Sequence, residues 1–267
     1  MTDDRAALLA RGWDEAADGY ERYFVPRFAP WVADAVAGLP GTLPDGPVLV
    51  PCCGTFPELP ALAAAHPDRE LVGVDLSQGM IDRARRRADG MPRVRLIRGD
   101  ATALESRWPG TAAGVVSVFG LQQLPDPVAS ITDWTAALRP GGHLSVVYWP
   151  PSTEAEGPFA LARTVVGEAL DDDAEDDDPA WPDRLAGAVT EAGGVVGRDG
   201  ELAHTIVHPD ARAYWTAVTA AGPMRTLVLS RGQDFVDRLR AEYLRRAPEG
   251  PWSHRPGARL LTAHRPA

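Results

Sequence analysis

A chain of 267 residues in which 45% are hydrophobic and 24% charged is long enough to bury a full core and has the composition of a globular protein. Its net charge of -10 argues against nonspecific nucleic-acid binding, which depends on basic stripes that displace counterions from phosphate, and suits a small neutral or cationic ligand. All 27 basic residues are arginine, which excludes chemistry on a Schiff-base or phosphate-loop lysine. The two cysteines, Cys52 and Cys53, are adjacent and build no disulfide framework, so a reducing cytoplasm is the expected setting. Met1–Arg5 is acidic and lacks the apolar core of a signal peptide. No run approaches the roughly 20 apolar residues of a membrane helix.

Residues 3–39 carry Trp13, Ala17, Tyr20, Phe24 and Phe28 at spacings of three or four, which predicts helices with one apolar face, broken into pieces by Pro26 and Pro30. Strands and helices then alternate: a strand over 47–51, a helix over 58–65, a strand over 70–74, and a helix over 81–88 with Ser77 as its cap. Strands over 93–98 and 113–118, a helix over 127–138, and a strand over 143–149 entered through a Gly141–Gly142 turn complete the series. That alternation implies an α/β fold, a doubly wound parallel sheet.

Beyond Pro150 the pattern changes. The acidic run 171–178 predicts a solvated loop, and it lacks the sixth-position glycine and the terminal glutamate of a calcium loop. Trp181 to Ala192 reads as a helix ended by Gly193–Gly194, 195–208 as extended segments, 209–246 as helices around Tyr214, Trp215, Phe235 and Tyr243, and 258–264 as a last strand. Three organisational blocks follow: an N-terminal helical cap (1–46), a nucleotide-binding core (47–150), and cap helices with final strands that complete the same domain (151–267).

Chemistry gathers where three apolar runs end. Val48–Thr55, Leu71–Asp75 and Leu96–Ala101 read as parallel strands whose carboxyl ends converge, the edge at which open α/β sheets bind nucleotides. Asp75, at the end of its run and well beyond Gly54, is placed to accept hydrogen bonds from both hydroxyls of a ribose. Asp100 suits an adenine amino group, with the Ala101 amide beside it. His204 and His208 lie on one segment rich in β-branched residues, where a strand would put both on one face and either could serve as a base. Tyr148 and Trp149 could hold a flat or cationic substrate, and Glu154, in the loop beyond them, could deprotonate or orient it. Cys52 and Cys53 have no CxxC partner and make a poor zinc site, so no metal is expected; Cys52 is either a packed thiol or a chemical group.

These segments, with Phe119–Pro127 and Leu138–Leu144, resemble the class I S-adenosylmethionine-dependent methyltransferases, in particular the small-molecule branch similar to ubiquinone and menaquinone biosynthesis methyltransferases. The resemblance implies a Rossmann-like, mostly parallel sheet with an antiparallel last strand and a helical cap, S-adenosylmethionine as cofactor, and a small-molecule acceptor, with neither nucleic acid nor membrane as partner. It places Tyr20, Pro51, Cys52, Cys53, Gly54, Asp75, Leu76, Met80, Asp100, Ala101 and Phe119 on the cofactor, and Trp13, Gln123, Tyr148 and Trp149 in the acceptor pocket. The chain departs from the family's first motif: Val50 stands at the acid position, Cys52 at the first glycine and Phe56 at the last. The adenosine half of the site therefore matches the family and the methionine half is rebuilt. That change admits two other readings, a methyltransferase fold turned to cyclisation or elimination, and a non-catalytic subunit with a protein partner or a second copy. A nicotinamide oxidoreductase would need GxGxxG after the first strand, where Cys52–Pro57 offers a single glycine.

Overall fold

The computed structural model describes residues 3–170 and 178–267, with side chains from residue 7 onward; apart from Asp178, the acidic run and the solvated loop expected of it lie outside the described residues. Helix α1 (Asp3–Ala37) is one unbroken helix, where the sequence predicts pieces parted at Pro26 and Pro30. Each proline removes a donor and so frees the carbonyl four residues earlier, of Arg22 and of Pro26. Arg22, Pro26 and Pro30 all stand on the exposed side of the helix, where water satisfies what the prolines leave open. The opposite face, with Phe28, Trp31 and Ala35 buried, holds the segment helical against its propensity.

Apolar runs without alternation bury both faces of a strand. β1 (Val48–Pro51) is buried throughout and β2 (Leu71–Asp75) is buried up to its final aspartate, whereas β3 (Val94–Arg98) is half-buried with its arginines outward. β4 (Ala112–Val118) is again buried nearly end to end. Helices α2 (Leu59–Ala65), α3 (Gln78–Arg87) and α4 (Pro127–Ala137) connect them. The Ser77 hydroxyl accepts from the Met80 amide and the Asp126 carboxylate from the Ala129 amide, so both caps are side-chain oxygens closing a helix N-terminus.

β5 (Leu138–Tyr148) starts directly at the end of α4, so Gly141–Gly142 is not the turn before a strand but part of one. The β4–β5 register slips between Ala112 and Gly114, Gly141 has a φ of 76°, and a Cβ on Gly142 would come within 2.8 Å of the Ala112 carbonyl; the two glycines form an irregularity inside the ladder. Helix α5 (Pro158–Leu170) has no counterpart among the predicted elements; α6 (Trp181–Glu191) does. β6 (Val195–Ala203) and, after β7 (Ile206–His208), helices α7 (Ala211–Thr219), α8 (Gly222–Arg231) and α9 (Gln233–Arg246), the short β8 (Trp252–His254) and β9 (Gly257–His264) complete the chain.

Seven strands form one sheet in the order β3-β2-β1-β4-β5-β9-β6. β3 to β5 run parallel and β9 pairs antiparallel with β5, the doubly wound arrangement expected from the alternation. β7 and β8 make a separate antiparallel pair. The chain divides into two compact units, a sheet unit of Phe28–Pro150, Pro179–Leu202 and Ala258–Ala267, and a helical unit of Met1–Arg27, Pro151–Asp178 and Ala203–Gly257.

The sheet unit's core centres on Trp134, which is fully buried among Leu104, Ile131 and Leu185 and donates its indole N–H to the Ala101 carbonyl at 2.7 Å. Trp134 thus fixes the turn that follows β3. Trp134→Ala is expected to cost about 3–5 kcal/mol and Trp134→Phe about 1 kcal/mol, read from urea denaturation; equal effects would mean that the ring's packing contributes nothing beyond the indole hydrogen bond.

Candidate functional site

Asp75 ends β2 and is held there by two backbone donors: the Gly54 amide meets one carboxylate oxygen at 2.8 Å and the Ser77 amide the other at 2.9 Å. An ionised carboxylate has about four acceptor positions, and these two amides set its orientation at the carboxyl end of the strand. Leu76 beside it is exposed to 38%, one of the few large apolar side chains left open. Asp100 is exposed at the end of β3, and one of its oxygens accepts from both the amide and the hydroxyl of Thr102 at 2.8 Å. Ala101 is buried against Trp134.

The loop after β1 keeps glycine-like geometry without the glycines. Cys52, Gly54 and Phe56 have φ values of 54°, 52° and 62°, a region that costs side-chain-bearing residues free energy. Neighbours hold them there. A Cβ on Gly120 would lie 2.4 Å from the Cys52 Cβ, so Cys52 fills the space that Gly120 leaves. Cys53 likewise occupies the space over Gly73, and Phe56 is fully buried. Met80, also buried, lies below Gly54. Burial, and then the Asp75 charge, push both thiols well above the usual range, with Asp100 adding to Cys52 and Glu58 to Cys53; neither is poised as a nucleophile. Burial raises the Glu58 carboxyl to about 8 although Arg87 opposes it. Thr55 Oγ1 and Glu58 Oε2 are buried without a hydrogen-bond partner among the described residues.

Alternation along β5 sends Tyr148 and Trp149 to different surroundings. Tyr148 is fully buried against Trp181, and burial raises its pKa. Trp149 stacks on Phe119 with ring centroids 4.1 Å apart and planes 3° from parallel, with Phe28 and Trp31 edge-on to both. Phe119 itself has a φ of 57°. Gln123 lies in a 3-10 turn, Leu121–Gln123, whose Gln122 side chain donates to the Phe119 carbonyl at 2.6 Å.

The helical unit holds the remaining candidates. Trp13 and Tyr20 meet edge to face at 5.6 Å, and Gly222 sits where a Cβ would strike the Trp13 ring at 2.5 Å. His204 and His208 do not share a strand: the chain leaves β6 at Ala203, and His208 alone lies on β7. Glu154 is not a solvated loop residue, because its side chain is 6% exposed. Its Oε1 accepts from the Phe159 and Ala160 amides at 2.8 and 3.2 Å, capping α5, and its Oε2 lies 2.6 Å from His254 Nδ1. His254 Nε2 lies 3.0 Å from His208 Nε2, and His208 Nδ1 lies 2.9 Å from the Tyr23 hydroxyl. Tyr23 and His254 escape the sequence reading. The pairing that joins the histidines sets Ile206 opposite His254 and Trp252 opposite His208, a diagonal contact on one face that no local pattern announces.

Residues 48–142 match the methyltransferase domain family. The similarity covers that segment, about a third of the chain. The demethylmenaquinone methyltransferase of Staphylococcus aureus (strain JH9) is 32% identical over 93 residues, 34% of this chain and 38% of that protein; the chain thus spans little more than a third of the curated relatives it matches. A solved structure from Bacillus halodurans C-125, described as a candidate methyltransferase, superposes with a TM-score of 0.56 at 17% identity over 88% of this chain and 99% of its own. The 4+2 cyclase SpnF superposes at 0.52 with 19% identity over 90% of this chain and 80% of its own. These likenesses confirm the methyltransferase fold. Among the described residues no helix is long and apolar enough to cross a membrane, and no group of three or more His, Cys, Asp or Glu side chains could hold a metal ion.

Burial, with His254 and Arg27 nearby, lowers the His208 pKa to about 3. Unfolded, the same imidazole titrates near ~6.5, so between these values the unfolded chain binds a proton that the folded chain refuses, and stability falls as pH drops from ~6.5. In urea titrations across that window the wild type is expected to lose up to ~1.4 kcal/mol per pH unit more steeply than His208→Gln. Parallel slopes would show that His208 is not buried neutral.

Proposed function

We propose that the protein transfers a methyl group from S-adenosylmethionine to a small-molecule acceptor. The observation that carries this reading is the Asp75 carboxylate at the end of β2, fixed by the Gly54 and Ser77 amides at the sheet edge where an acid in such folds meets the hydroxyls of a ribose. Asp100 and Leu76 supply an acceptor and an exposed apolar face for adenine. The glycine-like backbone at Cys52, Gly54 and Phe56 suits a loop that wraps the methionine half, and the unpartnered Thr55 and Glu58 oxygens offer polar groups in that segment. The residues present thus fit the cofactor. When bound, it supplies an already activated methyl on a sulfonium, so the protein's task is alignment of donor and acceptor. The relative named for demethylmenaquinone supports a small organic acceptor.

A second reading, a methyltransferase fold turned to a cyclisation or elimination, draws on one feature: fully buried Val50 at the position where the resemblance expects an acid. The fold similarity to SpnF supports that such a fold can host other chemistry.

Calorimetric titration with S-adenosylmethionine and S-adenosylhomocysteine is expected to give micromolar binding, about -8 kcal/mol. Asp75→Asn, which cannot accept from two amides and two hydroxyls at once, is expected to weaken both about 100-fold. Absence of binding by either ligand would overturn the proposal. Binding without turnover on any acceptor would favour the second reading.

A further inference from the structure

The helical unit contains a continuous chain of acid–base groups that the sheet unit's cofactor chemistry does not use. Its inner end is Glu154. Both Glu154 oxygens are engaged by donors, the Phe159 and Ala160 amides on Oε1 and His254 Nδ1 on Oε2, and this orders every later bond. In the tautomer that gives Nδ1–H to Glu154 and leaves a lone pair at Nε2, His254 accepts in the 3.0 Å contact, whose hydrogen then belongs to His208 Nε2. His208 then offers a lone pair at Nδ1, which receives the Tyr23 hydroxyl at 2.9 Å. All three bonds point inward, toward the carboxylate.

Burial accompanies the same line. Glu154 and His254 side chains are 6% and 3% exposed, His208 is wholly buried, and Tyr23, at the other end from the carboxylate, is half-buried. Phe159 and Tyr214 close the sides of the histidine pair, and the Arg27 guanidinium lies 3.9 Å from the Tyr23 ring centre. The titratable groups facing Tyr23 and His208 are therefore Arg27, Asp210, Tyr214 and His254. An inward-pointing chain with one open end takes protons from that end.

We propose that Tyr23 Oη is the proton-accepting contact for a protic small molecule, a phenol, enol or other hydroxyl compound, bound by the helical unit. The ligand O–H bond breaks and its proton goes to Tyr23 Oη, while the Tyr23 proton passes to His208 Nδ1 and the His208 Nε2 proton to His254 Nε2. The ligand is left as an oxyanion and His254 becomes an imidazolium beside the Glu154 carboxylate, so charge balances. His208, His254 and Glu154 are positioning residues; only Tyr23 touches the ligand. The proposal rests on the methyltransferase reading in one respect: an ionised oxygen is the better nucleophile toward a sulfonium methyl.

The test uses the full chain with saturating S-adenosylhomocysteine and 4-nitrophenol as probe, buffered one unit below the probe's own pKa and followed by nitrophenolate absorbance. The wild type is expected to raise the bound phenolate-to-phenol ratio about tenfold over free probe, a shift of one unit. Tyr23→Phe, which keeps the ring stacked on His208, and Glu154→Gln, whose carbonyl still caps α5, should both return the ratio to that of free probe. Both variants should bind S-adenosylhomocysteine like the wild type by calorimetry. If the homocysteine ligand binds and nitrophenol either fails to bind or ionises equally in wild type and Tyr23→Phe, the relay proposal is overturned. If S-adenosylhomocysteine itself does not bind, the methyltransferase reading fails first.

Discussion

The carboxyl edge of the sheet depends on one carboxylate with two backbone anchors. Asp75 ties the loop after β1, through the Gly54 amide, to the start of α3, through the Ser77 amide, so that loop, β2 and α3 are registered by a single side chain. Hydrogen bonds to a charged acceptor are worth roughly 1.5–3 kcal/mol each, enough to offset much of what the loop costs. Cys52 and Phe56 sit at positive φ, a conformation that costs about 1–3 kcal/mol per residue. A glycine at either place would relax it. The Asp75 anchors, the Phe56 amide bonded to the Cys53 carbonyl at 2.7 Å and the Cys53 amide bonded to Val74 at 3.1 Å keep the loop in shape regardless.

The same packing explains why the cysteines are chemically quiet. A thiol activated for attack needs positive surroundings, whereas half-buried Cys52 and buried Cys53 lie beside Asp75, with Asp100 near the first and Glu58 near the second. Their role is volume: each side chain fills a space opened by a glycine, Gly120 for Cys52 and Gly73 for Cys53. Cysteine at the motif's first glycine position is thus matched by Gly120, just beyond β4, and its neighbour Cys53 by Gly73 on β2, so the loop's backbone path accommodates both side chains.

Where function was legible in the sequence, a short-range rule was at work. Buried runs of four to seven residues announced the strands, and acids at their ends announced Asp75 and Asp100. Local rules misled where tertiary context decides. Pro26 and Pro30 fall on the solvent side of α1 and cost it nothing a water cannot repair, so the helix continues. Gly141–Gly142 reads as a turn but serves a ladder irregularity that exists only because β4 lies alongside. His208 and His254 are 46 residues apart and meet through two three-residue strands too short to leave a period in the sequence. Glu154 looked like a loop acid because the helix it caps begins after a stretch of prolines and small residues.

The helical unit's polar chain poses the opposite question to the loop: why is it there at all. A buried charged group and its partners stabilise a fold little better than apolar side chains of the same volume, and often worse. The chain is nonetheless complete, each ring nitrogen and carboxylate oxygen engaged, which is the condition under which buried polar networks hold one arrangement rather than several. A phenylalanine at Tyr23 would pack on His208 as well but would leave the buried His208 Nδ1 without its donor, so the hydroxyl completes the network as well as ending it. An hydroxyl kept at that end, with a lone pair behind it and a carboxylate two imidazoles deeper, has the arrangement that proton withdrawal requires and that packing alone does not.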